Sequence, residues 1–577
     1  MTMTMTKGGA DQRADPRTAA PRWQPRRASR REATALRLLV MLSLTASVWY
    51  FGWLLQPGRV GDPILYWVLV LAETFNLVQA LGFWWTCAHN RGSPRSPMRR
   101  YPNVNVDVLI PVYNEPVEII APVVEAAVQL KGARPRVAIL DDGNNPEVRA
   151  LAKRHGARYL RRGSNRGAKA GNLNDALKRT RSPLVAVLDC DHVPGPRFLE
   201  ATVGHFRRRD VAFVQSPQYY ANAADNAVAQ AAWSQQALFF GSIANGKAGL
   251  DSMFCCGTNI VFRRVALESA GGFPEETVTE DFELSVRLHA DGWKSVYVPE
   301  VLAQGLGPED MSSYVSQQLR WSRGCISAIP LVLRSRLPWR LRLQYLLSAS
   351  YFLYGWTLLV YMLMPLARIA FGWQPLASAS AADFLVHFAP YFLLSIASVA
   401  AAGFGTYTYN AFALAATSFW IGIVCTVRAL LRRPARFVVT PKRGSSGWQP
   451  AAVAPSLVAI GVLLAVSGWG LLRDPTPGTL NAVGFAVVHS AILLRGAAPA
   501  LRLLRPEVTP VETAPEPPGV ADPQPAPAEA PASPEPLPEP SPRAERTVEG
   551  IAKPRVSPDG LVPSGDTTTP SETNVSA

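Results

Sequence analysis

Hydrophobic and polar positions divide the chain into several membrane-like runs and one long mixed stretch. Six mostly apolar runs are candidate membrane spans, and they cover residues 38–55, 63–85, 345–370, 384–402, 452–472 and 480–494. A seventh run, 409–431, is also long enough, but a crossing there would place the basic loop 432–443 outside. The charge rule therefore favours an interfacial or re-entrant segment. The pattern predicts about six spans with both termini inside.

The first apolar run follows a polar, Arg-rich lead. Residues 1–37 are expected to be disordered over most of their length. No clear small-residue cleavage site follows the run, so we expect an uncleaved anchor rather than a signal peptide. Basic flanks at Arg30-Arg31 and Arg99-Arg100 are cytosolic by the positive-inside rule, so the first two spans, within 38–86, form a hairpin.

The stretch 104–310 regains charge and alternates short β-branched runs with helical ones. Buried parallel strands are predicted at 106–112, 136–140 and 184–188, and helices at 115–130 and 168–179. This rhythm is typical of a doubly wound α/β domain, which binds ligands beyond the carboxyl ends of its strands. From about residue 506 the chain is rich in Pro, Ala, Glu, Ser and Thr, and we expect this tail to be disordered.

Composition supports a chain that is part membrane and part globular. Hydrophobic residues make up 48% of the 577 residues and charged residues 18%, and the mean hydropathy is +0.06. The formal net charge is +15, but the basic residues cluster beside the apolar runs. That placement favours a bilayer surface as partner, and we expect no nucleic acid partner. The six cysteines form no C-x-x-C pair, so free thiols are expected.

Polar clusters follow each of the three predicted strands. They are Tyr113-Asn114-Glu115, Asp141-Asp142-Gly143 and Asp189-Cys190-Asp191. Asp189 and Asp191 form a D-x-D whose alternate side chains can face one cation. Carboxylates together with substrate phosphates suit Mg²⁺ or Mn²⁺. Taken alone, the motif also fits solvated loop acids.

Two further positions in this stretch suit a nucleotide. Asp142 could accept hydrogen bonds from a base or ribose, although Asp-Gly also favours a simple turn. Lys169, in the run GAKAGN (167–172), could meet a diphosphate at a helix start. A solvated lysine is the simpler interpretation.

Acids and an aromatic residue further along could act on an acceptor. In Thr279-Glu280-Asp281 a carboxylate could serve as general base, or Thr279 could cap a helix whose dipole the acids meet. Gln317, Arg320 and Trp321 share one face of a predicted helix. Arginine binds diphosphate bidentately and an indole ring can stack on a sugar. An interfacial helix with a Trp anchor is the alternative.

These motifs together resemble the family 2 glycosyltransferases of the cellulose synthase and hyaluronan synthase type. The similarity runs from about 106 to 442 through VDVLIPVYNEP (106–116), ILDDG (139–143), GAKAGNLNDAL (167–177), LDCDH (188–192), FVQSPQYY (213–220), FCCGTN (254–259), GGFPEETVTEDFELSVRLHADGWKSVYVPE (271–300), QQLRW (317–321) and FVVTPK (437–442). The resemblance implies a cytosolic GT-A-like domain at 104–310, interfacial helices at 311–340 and a transmembrane channel region at 341–500.

The resemblance also implies roles for single residues. Tyr113, Glu115, Asp142, Lys169, Asp189, Gln317 and Arg320 would bind the nucleotide-sugar, and Asp189 and Asp191 the metal. Asp281, with Glu280 and Asp191, would be catalytic, Asp281 as the base that deprotonates the acceptor hydroxyl. Trp321, Cys256 and Gly257 would bind the acceptor. Phe437, Val439, Thr440 and Lys442 would belong to a mobile gating loop, 432–443, over the donor.

The function implied by the resemblance is a processive, inverting synthase of a β-linked glucan such as cellulose. Its donor would be UDP-glucose with Mg²⁺ or Mn²⁺, and it would translocate the growing polysaccharide across the cell membrane, with an extracytoplasmic accessory subunit as a further partner. The acceptor-side motif FCCGT has Cys255 where cellulose synthases usually have an aromatic residue. The alternatives are another polysaccharide made from UDP-GlcNAc or GDP-mannose, a non-processive glycosyltransferase, or an inactive membrane scaffold.

Overall fold

The structure is a computed structural model that describes residues 15–25, 28–90, 103–433 and 448–503. The predicted disordered tail lies outside these residues. The α/β domain contains a seven-stranded sheet of order β3-β2-β1-β4-β8-β6-β9 and a three-stranded sheet of order β5-β10-β7. The strands are β1 Asn105–Val112, β2 Arg134–Asp141, β3 Arg158–Leu160, β4 Leu184–Val187, β5 Val193–Pro194, β6 Val211–Gln215, β7 Tyr219–Tyr220, β8 Ile260–Arg263, β9 Lys294–Tyr297 and β10 Ala303–Gly305.

Helices cover this sheet and continue beyond it. The helices between β1 and β10 belong to the α/β domain. They are α3 Val117–Val128, α4 Pro146–Arg154, α5 Ala168–Arg179, α6 Phe198–Thr202, α7 Ala227–Leu238, α8 Ala244–Gly249, α9 Arg264–Ser269 and α10 Glu280–Ala290. The others are α1 Arg30–Leu54, α2 Pro63–Ala88, α11 Met311–Arg334, α12 Trp339–Ser350, α13 Tyr354–Phe371, α14 Ala381–Ala402, α15 Tyr409–Thr417, α16 Phe419–Leu430, α17 Ala454–Arg473 and α18 Pro477–Ala497.

The predicted α/β class is confirmed, and its three predicted strands are parallel neighbours. β1 pairs in parallel with β2 and with β4. Their side chains alternate between two apolar layers: Val108 and Ile110 face the layer that includes α3, while Leu109 faces the layer that includes α5. Because both faces are covered, the strands are almost continuously apolar. β8 runs antiparallel between β4 and β6, which makes the sheet mixed.

Among the described residues, seven helical segments are long and apolar enough to cross a membrane, one more than the six predicted spans. They are Arg30–Leu54, Pro63–Ala88, Trp339–Phe371, Ala381–Ala402, Tyr409–Leu430, Pro450–Arg473 and Pro477–Ala497. The additional segment, Tyr409–Leu430, breaks at Ser418 into α15 and α16. It is 56% buried, against at most 28% in the other six, because it packs against α7, α11 and α18. Its placement in the interface stays a prediction.

The predicted disorder of residues 1–37 is wrong for the described part of that segment. Residues 15–25 lie against the α/β domain and begin with a 3-10 turn, Pro16–Thr18, in which Arg17 is only 5% exposed. α1 then begins at Arg30, capped by Ser29 and Glu32 in a capping box. The Arg-rich composition suggested solvation, but Arg17 is buried because it finds hydrogen-bond acceptors in the fold.

Candidate active site

One cavity of about 1010 Å³ extends from the carboxyl ends of the sheet into the apolar helices. Every described residue that was given a site role from the sequence lines it: Tyr113, Glu115, Asp142, Lys169, Asp189, Asp191, Cys256, Gly257, Glu280, Asp281, Gln317, Arg320 and Trp321. The fold therefore brings together residues that are more than two hundred positions apart in sequence, such as Tyr113 and Trp321. The predicted gating-loop residues Phe437, Val439, Thr440 and Lys442 lie outside the described residues.

The D-x-D follows β4 and has a histidine beside it. Asp189, Asp191 and His192 each offer a ligand atom, and these atoms lie within 4.8 Å of one another. His192 was not predicted as a ligand, although the motif LDCDH contains it. Its Nε2 is buried and has no hydrogen-bond partner among the described residues. The His192 Nδ1 contacts Asp191 Oδ1 at 3.3 Å. Two carboxylates and an imidazole whose Nε2 lacks a partner fit a divalent cation such as Mn²⁺ or Mg²⁺.

Lys169 lies in the first turn of α5, which begins at Ala168 as predicted. Its ammonium donates to Asp189 Oδ1 at 2.5 Å and to the Gly257 carbonyl at 2.8 Å. Burial by itself would lower the pKa of Lys169, but Asp189, Glu280 and Asp281 outweigh that effect and raise it. The side chain therefore stays positive between the D-x-D and the Gly257 carbonyl.

Asp142 is held by an arginine that was not predicted from the sequence. Arg162 donates to both Asp142 carboxylate oxygens, at 2.7 and 2.6 Å, and also to the Ala168 carbonyl at 2.8 Å. This bidentate pair fixes Asp142 against the turn before Lys169. Asp141 instead accepts from the Gly143 and Asn145 amides, and so shapes the turn.

Tyr113 and Glu115 form the short loop that follows β1. The Tyr113 amide donates to Glu115 Oε2 at 2.5 Å, and the Tyr113 side chain is 40% exposed at the cavity rim. The loop leads directly into α3. It therefore presents a phenol and a carboxylate beside the D-x-D, at the carboxyl edge of the sheet.

Asp281 lies in the first turn of α10. Its Oδ1 accepts from the Phe282 amide at 2.8 Å. Burial and the adjacent Glu280 raise the pKa of Asp281 to about 7, although Phe282, Lys169 and Arg320 act in the opposite direction. Thr279 occupies the N-cap position, but its side chain makes no capping hydrogen bond. Asp281 is thus a buried carboxyl that exchanges its proton near neutrality.

Gln317, Arg320 and Trp321 lie on one helix, α11, as predicted. Gln317 Nε2 donates to the Tyr220 hydroxyl at 3.4 Å. One turn further, Gly324 lets α11 approach the start of α10, since a Cβ there would lie 2.1 Å from Thr279 Oγ1. This close packing brings Arg320 near enough to act on Asp281, and Trp321 lines the same cavity.

The loop that contains the motif FCCGT (254–258) lies between Lys169 and Asp281. Gly257, at φ +81°, is the residue whose carbonyl accepts from Lys169. The Cys256 carbonyl accepts from Gln218 Nε2 at 2.5 Å. Burial strongly raises the pKa of the Cys256 thiol, so it stays protonated. Cys255 packs into the core beneath. All six cysteines are free, as expected.

The far end of the cavity contains polar residues that sequence patterns did not reveal, because each lies within an apolar run. They are Asn76, Tyr361, Tyr391, Ser395 and His489. Asn76 donates to the Tyr361 hydroxyl at 2.6 Å. Glu73 lies behind them at 1% exposure, accepts from Tyr50 at 3.2 Å, and interacts with the Tyr361 and Tyr391 hydroxyls.

A buried lysine marks the junction between the two ends. Lys247 Nζ donates to the Gln344 carbonyl and side-chain oxygens at 3.3 and 3.1 Å. Gln344 Nε2 in turn donates to Thr86. Burial lowers the pKa of Lys247 to about 7. The α/β domain, α2 and α12 are therefore joined by one polar network at the cavity wall.

The chain is similar to a glycosyl transferase family and to cellulose synthases. The family model for glycosyl transferase family group 2 matches residues 184–426. Putative cellulose synthase 2 of Komagataeibacter xylinus is 33% identical over 454 residues, covering 74% of this chain and 29% of that protein. Cellulose synthase 1 catalytic subunit [UDP-forming] of the same organism is 33% identical over 419 residues, covering 70% of this chain and 55% of that protein.

The chain thus spans at most about half the length of these relatives. A solved structure, mannosyltransferase PcManGT from Pyrobaculum calidifontis with GDP-Man and Mn²⁺, aligns at a TM-score of 0.47 and 17% identity. That alignment covers 64% of this chain and 99% of the mannosyltransferase.

Proposed function

This chain belongs to the family 2 glycosyltransferases, and from that premise we propose that it polymerises UDP-glucose into a β-linked glucan and translocates the product across the membrane. The observation that carries the proposal is the single cavity. It joins the D-x-D and Asp281 to polar side chains between the apolar helices. A polymer that grows at one end of such a cavity leaves through the other.

The donor would bind along the carboxyl edge of the sheet. Tyr113, Glu115 and Asp142 lie where the nucleoside would bind, with Asp142 oriented by Arg162. Lys169 and Arg320 would meet the diphosphate, and Gln317 would add a hydrogen bond. Asp189 and Asp191, together with His192, would hold Mg²⁺ or Mn²⁺, which supplies positive charge to the departing diphosphate.

Asp281 would act as the base. The acceptor hydroxyl oxygen attacks the anomeric carbon as the bond from that carbon to the diphosphate oxygen breaks, and the hydroxyl proton passes to Asp281. The products are a chain one sugar longer and UDP, and a single displacement converts an α-linked donor into a β-linkage. Lys169 and Arg320 keep Asp281 partly ionised despite its burial. Trp321 would support the acceptor ring, with Cys256 and Gly257 beside it.

We place the α/β domain on the cytosolic side of the cell membrane. Nucleotide-sugars are cytosolic, and the basic flanks Arg30-Arg31 and Arg432-Arg433 favour the same side. An extracytoplasmic subunit that receives the product belongs to this proposal as well.

The test is synthesis in proteoliposomes with Mg²⁺ or Mn²⁺. Labelled UDP-glucose, UDP-GlcNAc and GDP-mannose are offered separately, and the product is sized and digested with linkage-specific glycosidases. We expect a high-molecular-weight β-glucan from UDP-glucose alone, protected from glycosidase until the vesicles are opened. Short, unprotected products would contradict processive synthesis and translocation, and polymer from another donor would contradict the sugar.

A further inference from the structure

Residues 15–25, here called the N-terminal strap, lie on the α/β domain behind the D-x-D. Arg17 lies at the centre of the strap. Its guanidinium pairs with Asp15, with Nε at 3.0 Å and Nη2 at 2.6 Å from the carboxylate. Because Asp15 balances the charge of Arg17, the pair can be buried at modest cost.

The third guanidinium nitrogen of Arg17, Nη1, donates to the α/β domain instead of to Asp15. Arg17 Nη1 donates to the Ile119 carbonyl at 3.0 Å and to the Asp191 carbonyl at 3.4 Å. Ile119 lies in the first turn of α3, just after the loop that contains Tyr113 and Glu115. One guanidinium therefore joins the backbone of the proposed nucleoside loop to that of the proposed metal loop.

Four further contacts attach the strap to β10, to the loop before β10 and to α7. Gln304 of β10 donates from Nε2 to the Arg17 carbonyl at 3.2 Å and to the Ala19 carbonyl at 2.5 Å. The Val301 amide donates to Gln24 Oε1 at 2.7 Å. Trp23 packs edge-on against Trp233 with ring centroids 5.0 Å apart.

The sheet that the strap holds is continuous with the D-x-D. β10 pairs with β5, and β5 begins at Val193, directly after Asp191 and His192. Asp191 and His192 are both buried, so their side chains have little freedom once their backbone is fixed. The strap fixes that backbone through residues that do not line the cavity.

We propose that the strap pre-organises the metal and nucleotide site, with Arg17 as its positioning residue, an inference that rests on the proposed donor site. A loop that is already held in its ligand-binding conformation does not have to be ordered when the ligand binds, so the ligand binds more tightly. Loss of the Arg17 contacts therefore weakens binding of the metal and nucleotide, while the chemical step at Asp281 is unchanged.

The test compares Arg17→Met with Arg22→Met in the full-length protein. The Arg22 side chain lies on the same strap and makes no hydrogen bond among the described residues. Binding of Mn²⁺ with UDP is followed by electron paramagnetic resonance, without turnover. For Arg17→Met we expect roughly fivefold to tenfold weaker binding, a matching rise in the metal concentration for half-activation and an unchanged kcat at saturating metal. Arg22→Met should equal the parent protein.

Two further variants test whether the effect comes from the contacts of the strap. Gln304→Leu releases the strap from β10 without altering Arg17, and should weaken Mn²⁺–UDP binding in the same direction. Arg17→Lys retains one donor and should restore part of the affinity. Unchanged binding in both Arg17→Met and Gln304→Leu would overturn the role of the strap, as would an equal loss in Arg22→Met. If the parent protein itself fails to bind Mn²⁺ with UDP, the proposed donor site fails first.

Discussion

The two ends of the cavity differ in the polar groups that they present. The end in the α/β domain is lined by ionisable groups, among them Asp189, Asp281 and Lys169, which interact with one another. The end among the apolar helices is lined by hydroxyl, amide and imidazole groups such as Tyr361 and Asn76, with the carboxyl of Glu73 withdrawn behind them.

The difference follows from what each end of the cavity binds in the proposed function. A diphosphate and a transferred proton require charged partners, because charge develops there during the reaction. A neutral sugar chain in transit requires hydrogen bonds that are easily exchanged, and a strong fixed charge would hold it in place. Changes at the charged end should therefore alter rate, and changes at the neutral end should alter product length.

The largest expected effect is that of Asp281→Asn. An amide of the same shape cannot accept the proton, so polymer synthesis should fall by roughly 10²- to 10⁴-fold, while Mn²⁺–UDP affinity stays near that of the parent protein. Radiolabelled polymer and nucleotide binding measure the two quantities. The matched control is Glu283→Gln, on the same helix, where the carboxylate pairs with Arg287 at 2.6 Å outside the cavity. An equal loss in the control would contradict a specific role for Asp281.

The second largest expected effect is the pH dependence of the reaction at the charged end of the cavity. The pKa of Asp281 is raised to about 7, so the carboxyl is protonated below that pH and cannot serve as a base. We expect kcat/KM to rise with pH and level off above about 7, and to fall about tenfold for each unit below it. Initial rates across pH at saturating metal provide the measurement. A flat profile from pH 5 to 8 would exclude Asp281 as the base.

Trp321 is an uncharged side chain at the charged end of the cavity, so its replacement tests whether an uncharged contact there also affects the rate. Trp321→Ala should slow elongation roughly tenfold to a hundredfold, since truncating a buried aromatic contact in a binding site costs about 2 kcal/mol or more. Nucleotide binding should be retained, and Trp321→Phe should recover part of the rate. Trp339→Ala, at an exposed ring in the first turn of α12, is the control. Loss of Mn²⁺–UDP affinity in Trp321→Ala would instead place this ring on the donor side.

The smallest expected effect is that of Tyr361→Phe at the neutral end. Loss of one hydroxyl removes hydrogen bonds worth about 0.5–1.5 kcal/mol, so we expect chains about two- to tenfold shorter at an unchanged initial rate. Gel filtration of labelled product against time separates the two quantities. Tyr66→Phe, which removes a hydroxyl bonded to the Leu54 carbonyl away from the cavity, should leave chain length unchanged. A fall in initial rate without shorter chains would contradict the proposal that the neutral end of the cavity affects chain length and not rate.

Local patterns predicted the parts of this fold that depend on local sequence. The helix predicted at 168–179 is α5, and the strands predicted at 106–112 and 184–188 are β1 and β4 within one residue at each end. The two strands are almost continuously apolar and lie side by side in the middle of the sheet. Tyr113, Glu115, Asp189 and Asp191 could be named because they follow those strands at short spacing, whereas the roles of Asp281 and of the residues on α11 rested on the family resemblance.

The remaining features depend on contacts between distant segments. Arg17 lies in a segment with a disordered composition, and is buried only because carbonyls of Ile119 and Asp191 accept from it. Arg162 reaches Asp142 across twenty residues of chain. Glu73 was hidden because one acid changes the average hydropathy of a long apolar run very little. Composition and periodicity contain no information on such partners.

Glu73 also bears on how the protein is made. Along the chain, 285 residues separate Asn76, one turn after Glu73 in α2, from Tyr361 in α13. During synthesis α2 therefore enters the membrane before α13 and α14 exist, and only Tyr50 of α1 is present to bind the carboxyl. Inserting an acidic side chain costs about 2.5–3.5 kcal/mol at the centre of a helix, which the apolar remainder of α2 offsets. In the early helical hairpin Glu73 therefore depends on Tyr50 alone, and the hydroxyls of Tyr361 and Tyr391 come near the carboxyl only when the later helices arrive.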